Sequence, residues 1–163
     1  MDIAKQIIDQ RVNKILNDNP ELFSDVDQER KRSKAFLLLG VAAYLDIDIA
    51  EAVQFITDGG NDGGFDAAYI AEAQDSQLNV VLFQSKYSRK LENESNFPAN
   101  AVEKAVNTVK CVFDPEATIQ LNEKSREKVD EIRSFILDGH IPYVTFVMLN
   151  NGLKWNQDGQ NHI

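Results

Sequence analysis

A chain of 163 residues with 43% hydrophobic side chains can bury one real core, so a single domain over 1–163 is expected. Its formal net charge of -9 is the wrong sign for a surface built around phosphate backbones, and Cys111, the sole cysteine, excludes an internal disulfide. No apolar run reaches the length of a membrane span and the N-terminus is amphipathic rather than signal-like, so a cytoplasmic protein with no membrane partner is expected.

Residues 3–16 set Ile7, Ile8, Val12, Ile15 and Leu16 at helical spacing, and Asn17-Asp18-Asn19-Pro20 stops the pattern; 1–20 is therefore a helical N-terminal extension. A second helix is predicted over 28–45, apolar on nearly every side from Ala35 onward. Asp48-Ile49-Ala50-Glu51 has the spacing of an N-terminal cap followed by Glu and opens a short helix to about 56, although 52–57 also reads as a strand. After a glycine-rich stretch, 65–72 and 78–87 are rich in β-formers or small apolar residues, with the polar turn Gln74-Asp75-Ser76-Gln77 between them. Residues 91–99 are polar and carry no predicted element. Asn100 with Glu103 has capping-box spacing and opens a helix to about 112; Asn122 opens another over 123–137 that stops at Gly139. Residues 143–149 read as a buried strand, and the polar, Gly-bearing end after Asn150 has no closing element. This order predicts an α/β sandwich with a mixed sheet.

If the hairpin turn centres near Asp75, antiparallel pairing sets Asp66 opposite Gln84, and alternation puts Lys86 on the face of Gln84. Val80 and Leu82 on one face, and Val81 and Phe83 on the other, mark the second strand as central and covered on both sides. A lysine at the end of such a strand must be paired, functional or already in solvent. An acid at the matching cross-strand position favours a site. Oxygen donors beside an ammonium are what phosphodiester hydrolysis by a hard cation needs: the ion polarises the phosphate and activates water, and the ammonium offsets developing charge.

The residues Ile56-Thr57-Asp58-Gly59-Gly60-Asn61-Asp62-Gly63-Gly64-Phe65-Asp66, followed by Val81-Leu82-Phe83-Gln84-Ser85-Lys86-Tyr87, resemble the PD-(D/E)xK nuclease superfamily. The likeness is to the branch with Gln in place of the acid, as in Mrr-type restriction endonucleases and the N-terminal region of abortive-infection phage-resistance proteins. It is tight over about thirty residues, and the order of elements agrees over most of the chain. The resemblance implies a restriction-endonuclease-like mixed sheet flanked by helices, with the N-terminal helix added. It also implies a Mg²⁺- or Mn²⁺-dependent DNA endonuclease of antiphage defence, leaving 5′-phosphate and 3′-hydroxyl ends. Asp66, Gln84 and Lys86 are then catalytic, with Asp66 and Gln84 as metal ligands. The superfamily often adds a Glu from the first core helix, where this chain offers only Glu29. Asp58 and Asp62 flank the glycines, and each suits a metal or a turn. Such chains are generally longer, so a further C-terminal domain is expected, and a homodimer is compatible. The alternative is a catalytically silent nuclease-fold module that binds nucleic acid or protein, favoured by the acidic balance and the neutral Gln84.

Rival motifs fail on spacing. The glycine-rich stretch lacks the Gly-Lys-Ser/Thr ending of a P-loop and the Gly-x-Gly-x-x-Gly order of a dinucleotide fold, and as a calcium loop from Asp58 it puts Tyr69 where Glu belongs. The glycines suit a sharp turn with close backbone approach. His140 and His162 form no cluster, and Cys111 reads as a small buried hydrophobe. The acidic excess lies before the Gln-x-Lys motif: residues 1–83 hold 7 basic and 15 acidic side chains, whereas 84–133 hold 9 of each. Arg30-Lys31-Arg32 with Lys34, and Lys86 with Arg89-Lys90, are the local basic groups; a solvated patch is the simpler reading of the first.

Overall fold

The computed structural model describes residues 3–57, 64–72, 75–88 and 100–151. The polar stretch 91–99 and the chain after Asn151 lie outside the described residues. In chain order the elements are α1 (Ile3–Asp18), a 3₁₀ turn (Pro20–Phe23), α2 (Gln28–Leu45), α3 (Ile49–Ala52), a 3₁₀ turn (Val53–Phe55), β1 (Ala67–Glu72), β2 (Gln77–Lys86), α4 (Ala101–Phe113), α5 (Glu123–Leu137) and β3 (Ile141–Asn150). The sheet has the order β1-β2-β3, with β1 antiparallel and β3 parallel to β2. The chain is therefore α/β with a mixed sheet. No helix among the described residues is long and apolar enough to cross a membrane.

The hairpin forms because its turn supplies residues that accept left-handed backbone: Asp75 and Ser76 sit at φ 65° and 62°. That turn fixes the register, which runs from Glu72↔Leu78 to Ala67↔Phe83. The two-faced apolarity of β2 is explained by a layer on each side. Phe83 and Ala67 pack with Leu37, Leu38 and Val41 of α2 and Val12 of α1. Leu78, Val80 and Leu82 pack with Val112 of α4 and Val129 and Ile132 of α5.

Three local expectations change. Residues 49–56 are neither one helix nor a strand: α3 gives way to the 3₁₀ turn, and Ile56 then bridges Ala67 on the outer edge of β1. The strand expected to be buried over 143–149 is an edge strand among the described residues, and Ile141 and Tyr143 are exposed. Its apolar run reads as buried because its second half is covered, as where Leu149 packs in the α1/α2 layer. Asn100 does begin α4, but its side chain makes no cap hydrogen bond; Asp27, Asp48 and Asn122 each do, accepting from Arg30, Glu51 and Ser125 amides.

The C-terminus of α4 is closed from outside. Arg133 of α5 donates to the carbonyls of Cys111 (2.6 Å), Val112 (3.1 Å) and Ala117 (3.2 Å), so one guanidinium satisfies groups that the helix leaves open. Arg133→Met keeps the stem and removes these bonds. We expect a loss of about 2 kcal/mol, read as a lower urea midpoint at unchanged slope; an unaltered midpoint would show that water replaces the guanidinium without cost.

Candidate active site

The chain reaches β1 through Gly64, whose φ of +90° is open to glycine, and a Cβ there would run into Thr108 Oγ1 of α4. Phe65 is fully buried in the α4/α5 layer, Ala67 in the α1/α2 layer, and Ala68 in the α4/α5 layer again. Phe65 and Ala67 face opposite layers although they are two residues apart, so the alternation of β1 does not extend back through Asp66, which bends the chain into the strand. The Asp66 amide donates to the Phe83 carbonyl at 2.6 Å, and its carbonyl accepts from Thr57 N at 2.9 Å.

The consequence is a carboxylate turned along the sheet edge. Asp66 Oδ2 accepts the backbone N–H of Ser85 at 2.8 Å, standing where a ladder carbonyl would. Ser85 stands between Gln84 and Lys86 in the chain, so the acid is fastened to the backbone of Gln-x-Lys, and the register that ends at Ala67↔Phe83 brings Asp66 to that end of β2. The difference is in orientation: Asp66 reaches the centre of Gln-x-Lys through the backbone, while Gln84 and Lys86 continue the face of Leu82, toward α4 and α5. Gln84 Oε1 is sealed from solvent and accepts no hydrogen bond among the described residues. Lys86 is exposed and closes β2 opposite Asn150 of β3.

Tyr87 and Ser88, just past the end of β2, are clamped from two sides. The Tyr87 hydroxyl donates to Asp9 Oδ1 of α1 at 2.7 Å and accepts from Arg32 Nη2 of α2 at 2.9 Å; Arg32 also donates to Asn13 Oδ1. Burial, then the hydrogen bond to Asp9, raises the Tyr87 pKa above its usual value, with Arg32 pulling the other way. The hydroxyl therefore stays protonated as a donor throughout the neutral range. Ser88 N donates to Asn151 Oδ1 at 2.9 Å and Asn151 Nδ2 donates to Ser88 O at 2.8 Å, extending the β2/β3 pairing by a side chain that is 2% exposed. Asp9, Arg32, Tyr87 and Asn151 were not distinguishable in the sequence, since each partner lies more than fifty residues away or on another element.

Among the other acids, Glu29 is exposed on the first turn of α2 and lines a depression with Leu16, Phe23 and Arg32, away from any residue of β1 or β2. Glu51 follows the cap made by Asp48, as its spacing implies. Asp58 and Asp62 lie outside the described residues. No three of His, Cys, Asp and Glu stand together among the described residues. Cys111 is half-buried on α4, and His140 holds the Phe135 carbonyl through Nδ1 at 3.1 Å.

The donors present suit a hard divalent cation in kind: a carboxylate on the Ser85 amide and, on the residue before Ser85, a buried amide oxygen lacking a donor among the described residues. With so few protein oxygens, the ion would keep several waters, as Mg²⁺ commonly does. No protein-family model, curated protein or solved structure matches the chain.

Proposed function

We propose that the chain is a metal-dependent nuclease domain of the PD-(D/E)xK type that hydrolyses phosphodiester bonds in DNA. The observation that carries this reading is the Asp66 carboxylate on the backbone amide of Ser85, the residue that stands in the chain between Gln84, whose Oε1 is buried, and Lys86. The topology supports it: helix α2, the short Ile56 bridge, an antiparallel hairpin, then helices and a strand parallel to the central one.

Asp66 and Gln84 would hold Mg²⁺ or Mn²⁺, which polarises the phosphate and lowers the pKa of water when bound. Lys86 orients the attacking water and offsets the charge that gathers on the phosphate as the bond to the leaving 3′-oxygen breaks. The Tyr87 and Ser88 contacts fix the strand end from which that ammonium extends. The resemblance to phage-resistance proteins makes invading DNA the substrate we propose. A second reading, a silent nuclease-fold module, is favoured by the formal net charge of -9 and by the neutral Gln84 in place of an acid.

Metal binding tests the reading independently of cutting. At a free Mg²⁺ concentration about 100 times Kd, binding stabilises the fold by about 2.7 kcal/mol, which raises Tm by several degrees in a chain of this size. Asp66→Ala removes the rise. A wild-type Tm unmoved by Mg²⁺ and Mn²⁺, together with no heat on titration, overturns the metal role.

A further inference from the structure

Helical periodicity divides the basic run at the start of α2. Arg32 turns to Tyr87 and Asn13, whereas Arg30 and Lys34, four residues apart, share a different face. That face lines a cavity of about 250 Å³, to which α5 contributes Lys124 from its first turn and the chain before β1 contributes Ile56. Ile56 also bridges Ala67, the residue after Asp66, so the cavity adjoins the stretch of backbone that carries the candidate acid. Two acids share the rim, Asp25 and Asp27. Asp27 caps α2 and lies 3.7 Å from the Arg30 guanidinium, with both side chains largely exposed.

The balance is three cations to two acids in a chain of formal charge -9, so this is a local reversal of the field. Lys34 is anchored: its ammonium donates to the Leu22 carbonyl at 2.9 Å and lies 5.6 Å from the Phe23 ring centroid. Arg30 and Lys124 are exposed, and their ion pairing is weak in water. A guanidinium and two ammoniums around a water-accessible hollow match an oxyanion with several acceptors, the guanidinium bidentate and the lysines as point charges. Two helix N-termini, those of α2 and α5, open beside it and add partial positive charge.

We propose that this cavity is a subsite for a backbone phosphate of the nucleic-acid strand whose scissile bond lies at Asp66 and Lys86. The proposal rests on the nuclease reading for its ligand, and it deepens that reading by naming where the strand is gripped away from the reacting bond. It also supplies basic contacts that net charge alone would deny.

The test is equilibrium binding of a short fluorescein-labelled DNA duplex, followed by anisotropy in EDTA so that no cutting occurs, across a series of salt concentrations. Wild type is compared with Arg30→Gln/Lys124→Gln and with Lys124→Gln alone. We expect the double variant to bind about tenfold more weakly whatever the duplex sequence, and the slope of log K against log salt to fall by roughly 1 to 2. The single variant should lie between. Both side chains are exposed, so circular dichroism and Tm should match wild type. A double variant with wild-type affinity and slope overturns the subsite and leaves the nuclease reading untouched. A wild type with no salt-dependent binding also overturns it, and the nuclease reading then stands or falls on whether DNA cutting is present and lost in Asp66→Ala.

Discussion

Asp66→Ala and Lys86→Ala should each reduce Mg²⁺-dependent DNA cutting by roughly a thousandfold or more, with both proteins still folded. Both losses are required, because the carboxylate holds the ion and the ammonium serves the water or the phosphate, so neither group replaces the other. The folding cost should be small. Lys86 is exposed, and the Ser85 amide that Asp66→Ala leaves unmet sits at a half-buried edge, a loss of about 1 kcal/mol. Asp66→Asn is the sharper control, since its amide oxygen still accepts from Ser85 while the anionic ligand is gone; it too should fail to cut. Gln84→Glu should bind Mg²⁺ at least as tightly as wild type, because it places a charge on an oxygen that lacks a donor among the described residues. Without metal the same burial favours the protonated acid, so this variant should be less stable in EDTA at neutral pH and recover on adding Mg²⁺. Variants that cut at the wild-type rate would sink the site. A wild type inactive on single-stranded, duplex and modified DNA would move the function to the binding module.

The part of this arrangement legible in the sequence is the part set by short-range rules. A polar turn at Asp75-Ser76 fixes the hairpin register, and a strand apolar on both faces must be central, so the neighbourhood of Asp66 with Gln84 and Lys86 comes from the turn and the period of two. The bend at Asp66 was hidden, because Phe65-Asp66-Ala67-Ala68 has no alternation to break; only the opposite burial of Phe65 and Ala67 exposes it. The edge position of β3 was equally hidden. Its apolar run is compatible with burial on both faces, and its parallel pairing is made across two intervening helices. Lys124 joins Arg30 and Lys34 only through the packing of α5 near α2 and Ile56, ninety residues apart in the chain. The cap at Asp48, by contrast, is a four-residue rule and is found as written.

The largest effect on stability should come from Phe83→Ala, at about 3 to 5 kcal/mol out of a total of about 5 to 15. Phe83 is fully buried on β2, meets Tyr44 of α2 edge-on with ring centroids 5.6 Å apart, and its carbonyl receives the Asp66 amide. Truncation therefore opens a cavity in the α1/α2 layer at the residue whose backbone holds Asp66, and the covered strand has little freedom to close it. Urea unfolding should show the lower midpoint at an unchanged slope, and Phe83→Leu should recover part of the loss by refilling volume. Leu82→Ala probes the other layer, where the side chain is equally buried among Val80, Val129 and Ile132, and should cost about 2 to 5 kcal/mol. Tyr143→Ala, on the exposed start of β3, should stay within about 0.5 kcal/mol of wild type. The two buried side chains lie in different layers but on adjacent residues of one strand, so their costs should combine with a coupling of about 0.5 to 3 kcal/mol, and a combined cost of about 5 to 10 kcal/mol takes up much of the stability of the chain. The double variant should then unfold at a lower urea midpoint than either single one. A double variant as stable as either single one would mean that the two layers do not share β2 as their common wall.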